Sequence, residues 1–208
     1  SVLAATASGG RMNPGPRVLL AHRYYWPDTA PYGRLLKPLA TGLAAAGMDV
    51  TIFSTQPFYG AAGRQTRLPI RSREDGVRVI RSRWIGSRGQ RQLVRLSADL
   101  AFVVALAWHL MIRKRYDLVT VSTSPPVAAA LAVRLVSRIR GSAMIYHCQD
   151  LHPEAAIAGG VLKRNRLAKL LQCLDSWTCA RAERVVVLSA DMRDGLTQRG
   201  LGNGNVTV

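Results

Sequence analysis

Four ionisable side chains stand close together in the segment AMIYHCQDLHPE, residues 143–154, namely His147, Asp150, His152 and Glu154. Imidazole and carboxylate groups serve as general acids and bases, and both are common metal ligands. The same residue types also occur at ordinary helix starts. Because the segment begins with an apolar run that should be buried, its chemistry depends on where that run places the polar residues.

The elements that position this segment alternate between short apolar runs and longer amphipathic stretches. A run such as RVLLAH, with no polar face, is typical of a strand covered on both sides. Repeated strand-helix units predict an α/β fold with a doubly wound parallel sheet, Rossmann-like in type. The predicted strands are 17–22, 49–54, 77–82, 117–122, 143–148 and 184–189, with helices at about 29–47, 90–115, 125–138 and 163–182, a short helix ending near 200 and a further strand starting near 205.

Single residues mark the ends and the buried face of the first helix. Thr29 is expected to cap this helix, and Gly47 is expected to end it. Leu35, Leu39 and Leu43 are predicted to form its apolar stripe.

An open parallel sheet binds ligands beyond the carboxyl ends of its strands, where loops enter helices. Ser124 and Ser189 lie at such ends and are expected to cap the following helices, whose free N–H groups attract anions. Arg193, in the last helix, is assigned with Ser189 to the start of that helix at the cleft. Simple capping is the alternative for each serine. Neither a G-x-G-x-x-G motif after the first strand nor a P-loop motif occurs, so the familiar nucleotide sites are not predicted.

Composition limits the classes of protein that remain. The chain has 208 residues, 48% of them hydrophobic, which predicts a globular protein with one sizeable core or two small ones. Cys148, Cys173 and Cys179 contain no C-x-x-C pair, so a disulfide framework and a zinc knuckle are not predicted. A reducing, cytoplasmic setting fits best. Residues 1–16 lack the pattern of a secretory signal and are predicted to be a disordered leader.

Net charge is +17, from 29 Lys and Arg against 12 Asp and Glu. Residues 61–96 hold ten arginines and two acids, so this stretch should attract phosphates on nucleic acid, lipid or nucleotide. The alternative is that the arginine content, 25 of 29 basic residues, reflects genome composition. No zinc-finger spacing, RNP motif or interleaved basic and aromatic face occurs. An anionic membrane surface is therefore the preferred partner, and nucleic acid is not expected.

Four blocks at predicted strand ends resemble a known family. They are RVLLAHRYYWPDTAPYGRLLKPLATGLAAAGMDVTIFSTQPFYG, DLVTVSTSPPVAAALAVRL, YHCQDLHPEAAIAGGVL and AERVVVLSADMRDGLTQRGL. Together they resemble the N-terminal, acceptor-side domain of a retaining, family 4-like glycosyltransferase of the GT-B fold, the type that builds bacterial surface polysaccharides. The resemblance runs from Arg17 onward.

The resemblance implies a two-domain enzyme whose active site lies between two doubly wound halves. The N-terminal half holds a lipid-linked or saccharide acceptor, and the C-terminal half holds the nucleotide-sugar, which is a substrate, so that no cofactor is expected. On this interpretation residues 17–208 are the N-terminal domain. The donor-binding domain is then missing from the chain or supplied by a partner subunit.

The resemblance also assigns roles in the opening segment. Asp150 matches the position where relatives place an Asp or His facing the acceptor, where it could orient a hydroxyl and accept its proton. The leaving diphosphate is the alternative proton acceptor, which would leave Asp150 a positioning role. Gln149, His152 and Glu154 are assigned to the acceptor cleft, with a helix-dipole role as the alternative for Glu154. His147 is expected to remain in the strand, and the corner spacing does not predict a metal site.

The loop YYWPDTAPYG is the second candidate acceptor surface. Tyr24 and Tyr25 could stack on a sugar or a lipid-linked acceptor, and Asp28 and Thr29 could bond its hydroxyls. Ser124 is assigned to the same surface. The alternative for the aromatic residues is packing beneath the first helix.

The apolar run LSADLAFVVALAWHLMI, residues 96–112, raises the question of a membrane. It contains Asp99 and His109 and is shorter than the ~20 residues of a span, so a crossing is not predicted. It is expected either to be a core helix or to press on an anionic bilayer together with the Arg-rich segment, which would place the protein peripherally on the inner face of the plasma membrane. Two other functions stay open: a non-catalytic membrane- or partner-binding module, and a sugar-nucleotide epimerase.

Overall fold

A computed structural model describes residues 15–57, 67–85 and 92–208. Most of the predicted leader and parts of the Arg-rich segment lie outside these ranges. Eight strands are found in the described part of the chain: β1 (Arg17–Ala21), β2 (Asp49–Gln56), β3 (Arg71–Glu74), β4 (Val77–Ile85), β5 (Leu118–Ser122), β6 (Ala143–Cys148), β7 (Arg184–Val187) and β8 (Val206–Thr207).

The strands form one sheet in the order β3-β4-β2-β1-β5-β6-β7-β8. Every neighbouring pair is parallel except β3 and β4. The central strand β1 pairs with both β2 and β5, so that Val18 lies beside Val50 on one side and Leu118 on the other. The predicted doubly wound parallel sheet is confirmed, with one antiparallel edge strand added.

Alternation along the strands builds two cores, one on each face of the sheet. Val18 and Leu20 point into the cluster that includes Leu36, while Leu19 and Ala21 point into a larger cluster on the other face. Each of these strand residues is at most 2% exposed. A run without a polar face is therefore buried on both sides, as its composition predicts.

Six helices cover the sheet in the described ranges: α1 (Pro31–Ala45), α2 (Gln92–Ile112), α3 (Ala128–Arg140), α4 (Glu154–Ala158), α5 (Arg166–Ala180) and α6 (Ala190–Gln198). The structure adds two elements that the pattern did not predict, β3 and the short α4. The hairpin from β3 to β4 turns at Asp75 and Gly76, which both have positive φ (50° and 82°), as a tight two-residue hairpin turn requires.

The ends of the helices confirm some predicted caps and correct others. Ser189 caps α6 by accepting a hydrogen bond from the backbone N–H of Met192 at 3.3 Å. Thr29 does not cap α1, because the N-cap position is occupied by Ala30. Ser124 does not cap α3, because the helix begins only at Ala128, after two prolines.

The buried face of α1 also differs from the prediction. Leu36 and Ala40 face the sheet, whereas Leu35 and Leu39 are 64% and 40% exposed. Only Leu43, of the predicted stripe, packs against the core. The two possible stripes are one residue apart, so the helix is rotated by about 100° from the predicted orientation.

Helix α2 is longer than the apolar run noted in the sequence. Its segment Leu93–Ile112 has 20 residues and a mean hydropathy of 1.6, which is long and apolar enough to cross a membrane, so the argument from length is wrong. In the folded chain Phe102, Leu106 and Leu110 are buried in the larger core cluster. Only 22% of the segment is buried, which leaves a second apolar face exposed.

Candidate active site

A groove of about 610 Å³ opens at the carboxyl ends of β1, β5 and β6. The lining combines aromatic and apolar side chains with a few polar ones, as small-molecule binding sites commonly do. The residues that line it are His22, Tyr24, Ala30, Pro31, Tyr32, Leu35, Thr123, Ser124, Pro126, Gln149, Asp150, His152 and Leu188.

Five of the predicted site residues meet in this groove: Tyr24, Ser124, Gln149, Asp150 and His152. They come from the loops after three strands, which the order of the sheet places side by side. The side chain of Asp150 is exposed to the groove, and its loop is held in place from below. There the buried Cys148 thiol donates a hydrogen bond to the backbone carbonyl of Asp150 at 3.4 Å.

Three residues of the aromatic loop do not line the groove. The Tyr25 ring is 3% exposed and packs with Leu36 in the core beneath α1, which is the alternative that the sequence left open. Asp28 is completely buried, and Thr29 is exposed outside the groove. Tyr25, Asp28 and Thr29 therefore lie outside the lining of the groove, and their contact with an acceptor stays a prediction.

Three further residues that were assigned to the cleft lie at or near helix starts. Glu154 begins α4 and accepts hydrogen bonds from Gln172 and Arg199, away from the groove. Ser189 is the cap of α6, and Arg193 in that helix is paired with Asp194 at 3.5 Å. Glu154, Ser189 and Arg193 do not line the groove, and their assignment to the cleft stays a prediction.

The floor of the groove contains residues that sequence reasoning did not single out. The ring of Tyr32 lies 4.8 Å from the ring of His22, edge to face, and 5.8 Å from the ring of His147. His22 Nδ1 is 2.5 Å from the hydroxyl oxygen of Ser122. His22 is the last residue of the first predicted strand and directly follows the observed β1, so its position at a strand end was the signal that could have found it.

The buried imidazoles make this floor electrically neutral at physiological pH. Burial, with a smaller contribution from nearby His147, lowers the pKa of His22 to about 3. Burial also lowers the pKa values of His147 and His152. Burial raises the pKa of the Tyr32 phenol. The floor therefore offers neutral rings and hydrogen-bonding groups, with the Asp150 carboxylate at its edge.

In the described part of the chain, no three His, Cys, Asp or Glu side chains are grouped so that they could hold a metal ion. The arrangement instead suits a neutral polyhydroxylated ligand. Aromatic rings can cover the face of such a ligand, while hydroxyl, amide and carboxylate groups bond its edges.

Comparison with known proteins identifies the family. The sequence profile of the glycosyl transferase 4-like domain matches residues 32–208. The chain belongs to this family. The putative colanic acid biosynthesis glycosyl transferase WcaI of Escherichia coli (strain K12) is 22% identical over 198 residues, covering 91% of this chain and 48% of that protein. The chain thus spans about half the length of this curated relative.

Solved structures share the fold of this glycosyl transferase 4-like domain. LpCGTa in complex with UDP has a TM-score of 0.54 and 12% identity, over 92% of this chain and 52% of that one. The α,α-trehalose 6-phosphate synthase from Burkholderia multivorans has a TM-score of 0.52 and 16% identity, over 92% and 44%. These results confirm the resemblance to family 4-like GT-B glycosyltransferases and the predicted fold class.

Arg23 fixes the first groove loop of the transferase domain to two other elements. Its backbone carbonyl accepts hydrogen bonds from Ser54 Oγ at 2.9 Å and Thr55 Oγ1 at 2.7 Å. Its guanidinium pairs with Asp99 of α2, and only 11% of the Arg23 side chain is exposed. Asp99, which looked unfavourable in an apolar run, is thus paired inside the fold.

A second arginine holds the same loop from the sheet. Arg81 in β4 is 2% exposed and donates to the backbone carbonyl of Trp26 at 3.2 Å. It also bonds Ser72 Oγ at 2.9 Å and Glu74 at 3.0 Å, both on β3. The edge hairpin therefore helps to position the loop that presents Tyr24 to the groove.

A buried polar network supports the wall of the groove that is formed by the loop after β6. The side chain of Arg199, 6% exposed, pairs with Asp175 at 2.9 Å and with Glu154 at the start of α4. The Tyr146 hydroxyl donates to Asp175 at 3.1 Å, and Gln172 donates to Glu154 at 2.7 Å. The network joins β6, α4, α5 and the end of α6, and it anchors the helix that follows the loop carrying Asp150.

Proposed function

We propose that this chain is the acceptor-binding half of a glycosyltransferase that moves a sugar from a nucleotide-sugar to a saccharide or lipid-linked acceptor. The observation that carries the proposal is the groove at the carboxyl edge of the sheet, where neutral rings and the Asp150 carboxylate converge. Family membership and a relative described as a putative colanic acid biosynthesis transferase support it. The UDP-bound structural neighbour supports a nucleotide-sugar donor, held by a second domain or partner subunit.

In the proposed reaction, an acceptor hydroxyl oxygen forms a bond to the anomeric carbon of the donor sugar. The bond from that carbon to the nucleoside diphosphate breaks, and the diphosphate leaves with the electron pair. Asp150 accepts a hydrogen bond from the attacking hydroxyl and takes its proton, or positions the hydroxyl while the leaving diphosphate takes the proton. Tyr24 and Tyr32 cover the acceptor sugar, and Ser124 and Gln149 bond its hydroxyls. No cofactor takes part.

The test uses the complete enzyme, that is, this chain together with its donor-binding half. Asp150→Asn is expected to lower kcat/KM for sugar transfer at least about a hundredfold, the lower range for loss of a catalytic proton acceptor. Asp191→Asn is the matched control, because Asp191 is exposed, carries the same charge and does not line the groove. A shift in the pH profile of kcat in Asp150→Asn would indicate proton transfer, and a change in acceptor KM alone would indicate positioning.

Transfer at the normal rate by a folded Asp150→Asn enzyme would contradict the site assignment. A complete enzyme that binds no nucleotide-sugar and transfers no sugar would contradict the proposed function itself. Release of an isomerised nucleotide-sugar without any acceptor would indicate an epimerase instead.

The exposed face of α2 favours a second function, attachment to an anionic bilayer, with or without catalysis. Apolar side chains follow one another at helical spacing along the outside of this helix, and basic residues flank its ends. The exposed apolar residues include Leu93, Leu96, Leu100, Val104, Trp108 and Ile112, and the exposed basic ones are Arg95, Arg113, Lys114 and Arg115. Such a face suits the boundary between head groups and acyl chains, and would place the enzyme on the inner face of the plasma membrane.

Vesicle flotation tests this attachment. The double substitution Leu100→Ser and Trp108→Ser removes two side chains that are 64% and 66% exposed, and we expect loss of about 3 kcal/mol of partition free energy. Leu135→Ser with Ile139→Ser is the matched control on α3, where the side chains are 48% and 70% exposed. Equal flotation of both variants and the unmodified protein would contradict attachment through α2.

A further inference from the structure

A second concave site lies at the amino ends of the strands, whereas the groove lies at their carboxyl ends. It has a volume of about 440 Å³ and is surrounded by five cationic side chains. The site, called the basic pocket below, lies at the amino ends of the central strands and the end of α2. Its cationic residues are Arg17, Arg71, Arg78, Arg113 and Lys114, and Thr51, Ile80, His109, Ile112 and Tyr116 complete it.

Carboxylates neutralise only part of this charge. Asp49 pairs with Arg78 and, at 3.5 Å, with Arg17. Within the described ranges no carboxylate is paired with Arg71, Arg113 or Lys114, the other three cations of the pocket. Several cations with few counter-charges around one concavity attract an anion from solution.

The floor of the basic pocket, formed by His109 and Tyr116, lies in the positive field of these cations. His109 Nε2 is 2.9 Å from the hydroxyl of Tyr116. Burial, with smaller contributions from the charges of Arg113, Arg71 and Arg17, lowers the pKa of His109 to about 4. His109 is therefore neutral at physiological pH, and the pocket pairs a neutral, hydrogen-bonding floor with a cationic wall.

The basic pocket is continuous with the apolar face of α2. Ile112 borders the pocket and is also the last exposed apolar residue of that face. The two basic residues that follow it, Arg113 and Lys114, line the pocket. An occupant that satisfies both surfaces carries an anionic group attached to an apolar tail, which is the chemistry of a phospholipid.

We propose that the basic pocket binds the phosphate of an anionic phospholipid head group, while the acyl chains lie along the exposed face of α2. The proposal rests on the membrane attachment proposed above and adds a specific head-group site to it. It is separate from the acceptor groove, which lies at the other ends of the strands. Recognition depends on the phosphate diester, because guanidinium and ammonium groups are its natural donors.

The test compares two triple variants with the same change in charge. The pocket variant carries Arg71→Gln, Arg113→Gln and Lys114→Gln. The control variant carries Lys163→Gln, Arg164→Gln and Arg166→Gln, which are exposed and lie outside the basic pocket. Flotation is measured with phosphatidylcholine vesicles with and without phosphatidylglycerol.

We expect the pocket variant to bind the phosphatidylglycerol vesicles about a hundredfold more weakly, at roughly fivefold for each basic residue near the surface. The control variant should change binding by less than tenfold. Replacing Arg71 and Arg113 by lysine should preserve binding, which separates loss of charge from loss of folding. Equal weakening in both triple variants would mean diffuse attraction and would overturn the pocket.

Soluble probes distinguish the sources of the phosphate. Dihexanoyl phosphatidylglycerol, below its micelle concentration, should shift the NMR signals of His109 and Tyr116 in the unmodified protein more strongly than inorganic phosphate at equal concentration. An equal response to inorganic phosphate would overturn the lipid assignment. If the unmodified protein floats with neither kind of vesicle, the membrane proposal fails as a whole. If it floats and the pocket variant matches the control, only the head-group site fails.

Discussion

Replacement of Arg199 by methionine is the most direct test of how the groove wall is held. The change keeps much of the apolar volume but removes the guanidinium that pairs with Asp175 and Glu154. Asp175 then stays buried, 1% exposed, and within the described part of the chain keeps the hydrogen bond from the Tyr146 hydroxyl at 3.1 Å. Loss of one partner of a buried ion pair costs about 3–5 kcal/mol, because the other charge remains in the interior.

The predicted loss depends on pH, with a defined sign. Burial raises the pKa of Asp175 above its ordinary value, while Arg199 lowers it. In Arg199→Met the pKa of Asp175 therefore rises further, and the folded state holds a proton that the unfolded chain releases. Stability is retained below the unfolded pKa of Asp175 and is lost as the pH rises through its folded pKa. The loss in Arg199→Met should consequently be larger at pH 7.5 than at pH 5.

Urea denaturation at both pH values measures the free energy of unfolding. Arg138→Met, at an exposed residue of α3, is the control and should change it by less than about 0.5 kcal/mol. Adding Asp175→Asn to Arg199→Met should recover part of the loss and remove its pH dependence. A loss below 1 kcal/mol, or one that grows as the pH falls, would refute the reasoning from the buried carboxylate.

Three smaller changes test other parts of the fold. Ser189→Ala should cost about 1 kcal/mol in urea denaturation, because it removes the cap of α6, and a loss below 0.3 kcal/mol would contradict the capping role. Leu106→Ala should cost about 2–5 kcal/mol, whereas Leu100→Ala on the exposed face of the same helix should change stability little, and equal losses would contradict the orientation of α2. Gly33→Ala places a Cβ 3.0 Å from the backbone oxygen of Tyr24, so the substitution should shift the groove loop. Acceptor binding, measured by calorimetric titration, should therefore be weaker. Unchanged affinity would contradict the close approach of Gly33 to Tyr24.

Local sequence pattern was sufficient to locate most elements. The central strands are marked by short apolar runs, and the observed β6 has the predicted bounds, Ala143–Cys148. The hairpin at Asp75 and Gly76 carries a recognisable Asp-Gly turn signal, but the arginines around it obscure the alternation of β3. Patterns of this kind depend on residues that are close in the chain, so they survive without knowledge of the tertiary structure.

The orientation of α1 and α2 depended on contacts that the sequence does not show. In α1 the pairs Leu35–Leu39 and Leu36–Ala40 have the same spacing, and only packing on the sheet selects the second pair. In α2 apolar residues surround much of the helix, so the composition alone does not separate the buried face from the exposed one.

The candidate site was predictable where it depended on strand ends. Asp150, Ser124 and Tyr24 follow different strands and meet in the groove because parallel strands end at the same edge. The ion pair of Glu154 could not be predicted, since its partner Arg199 lies 45 residues further along the chain. The burial of Asp28 likewise depends on tertiary packing, which no local spacing reports.

The ion pair between Arg23 and Asp99 gives α2 the role of a spacer. Asp99 contacts the loop at the groove, and Ile112 borders the basic pocket. At 1.5 Å per residue, these two points are roughly 20 Å apart along one continuous helix. Helix α2 thus acts as a rigid rod that keeps the groove and the basic pocket at a fixed separation. A lipid-linked molecule whose head group is held at the basic pocket would therefore always have the same distance to span to reach the groove.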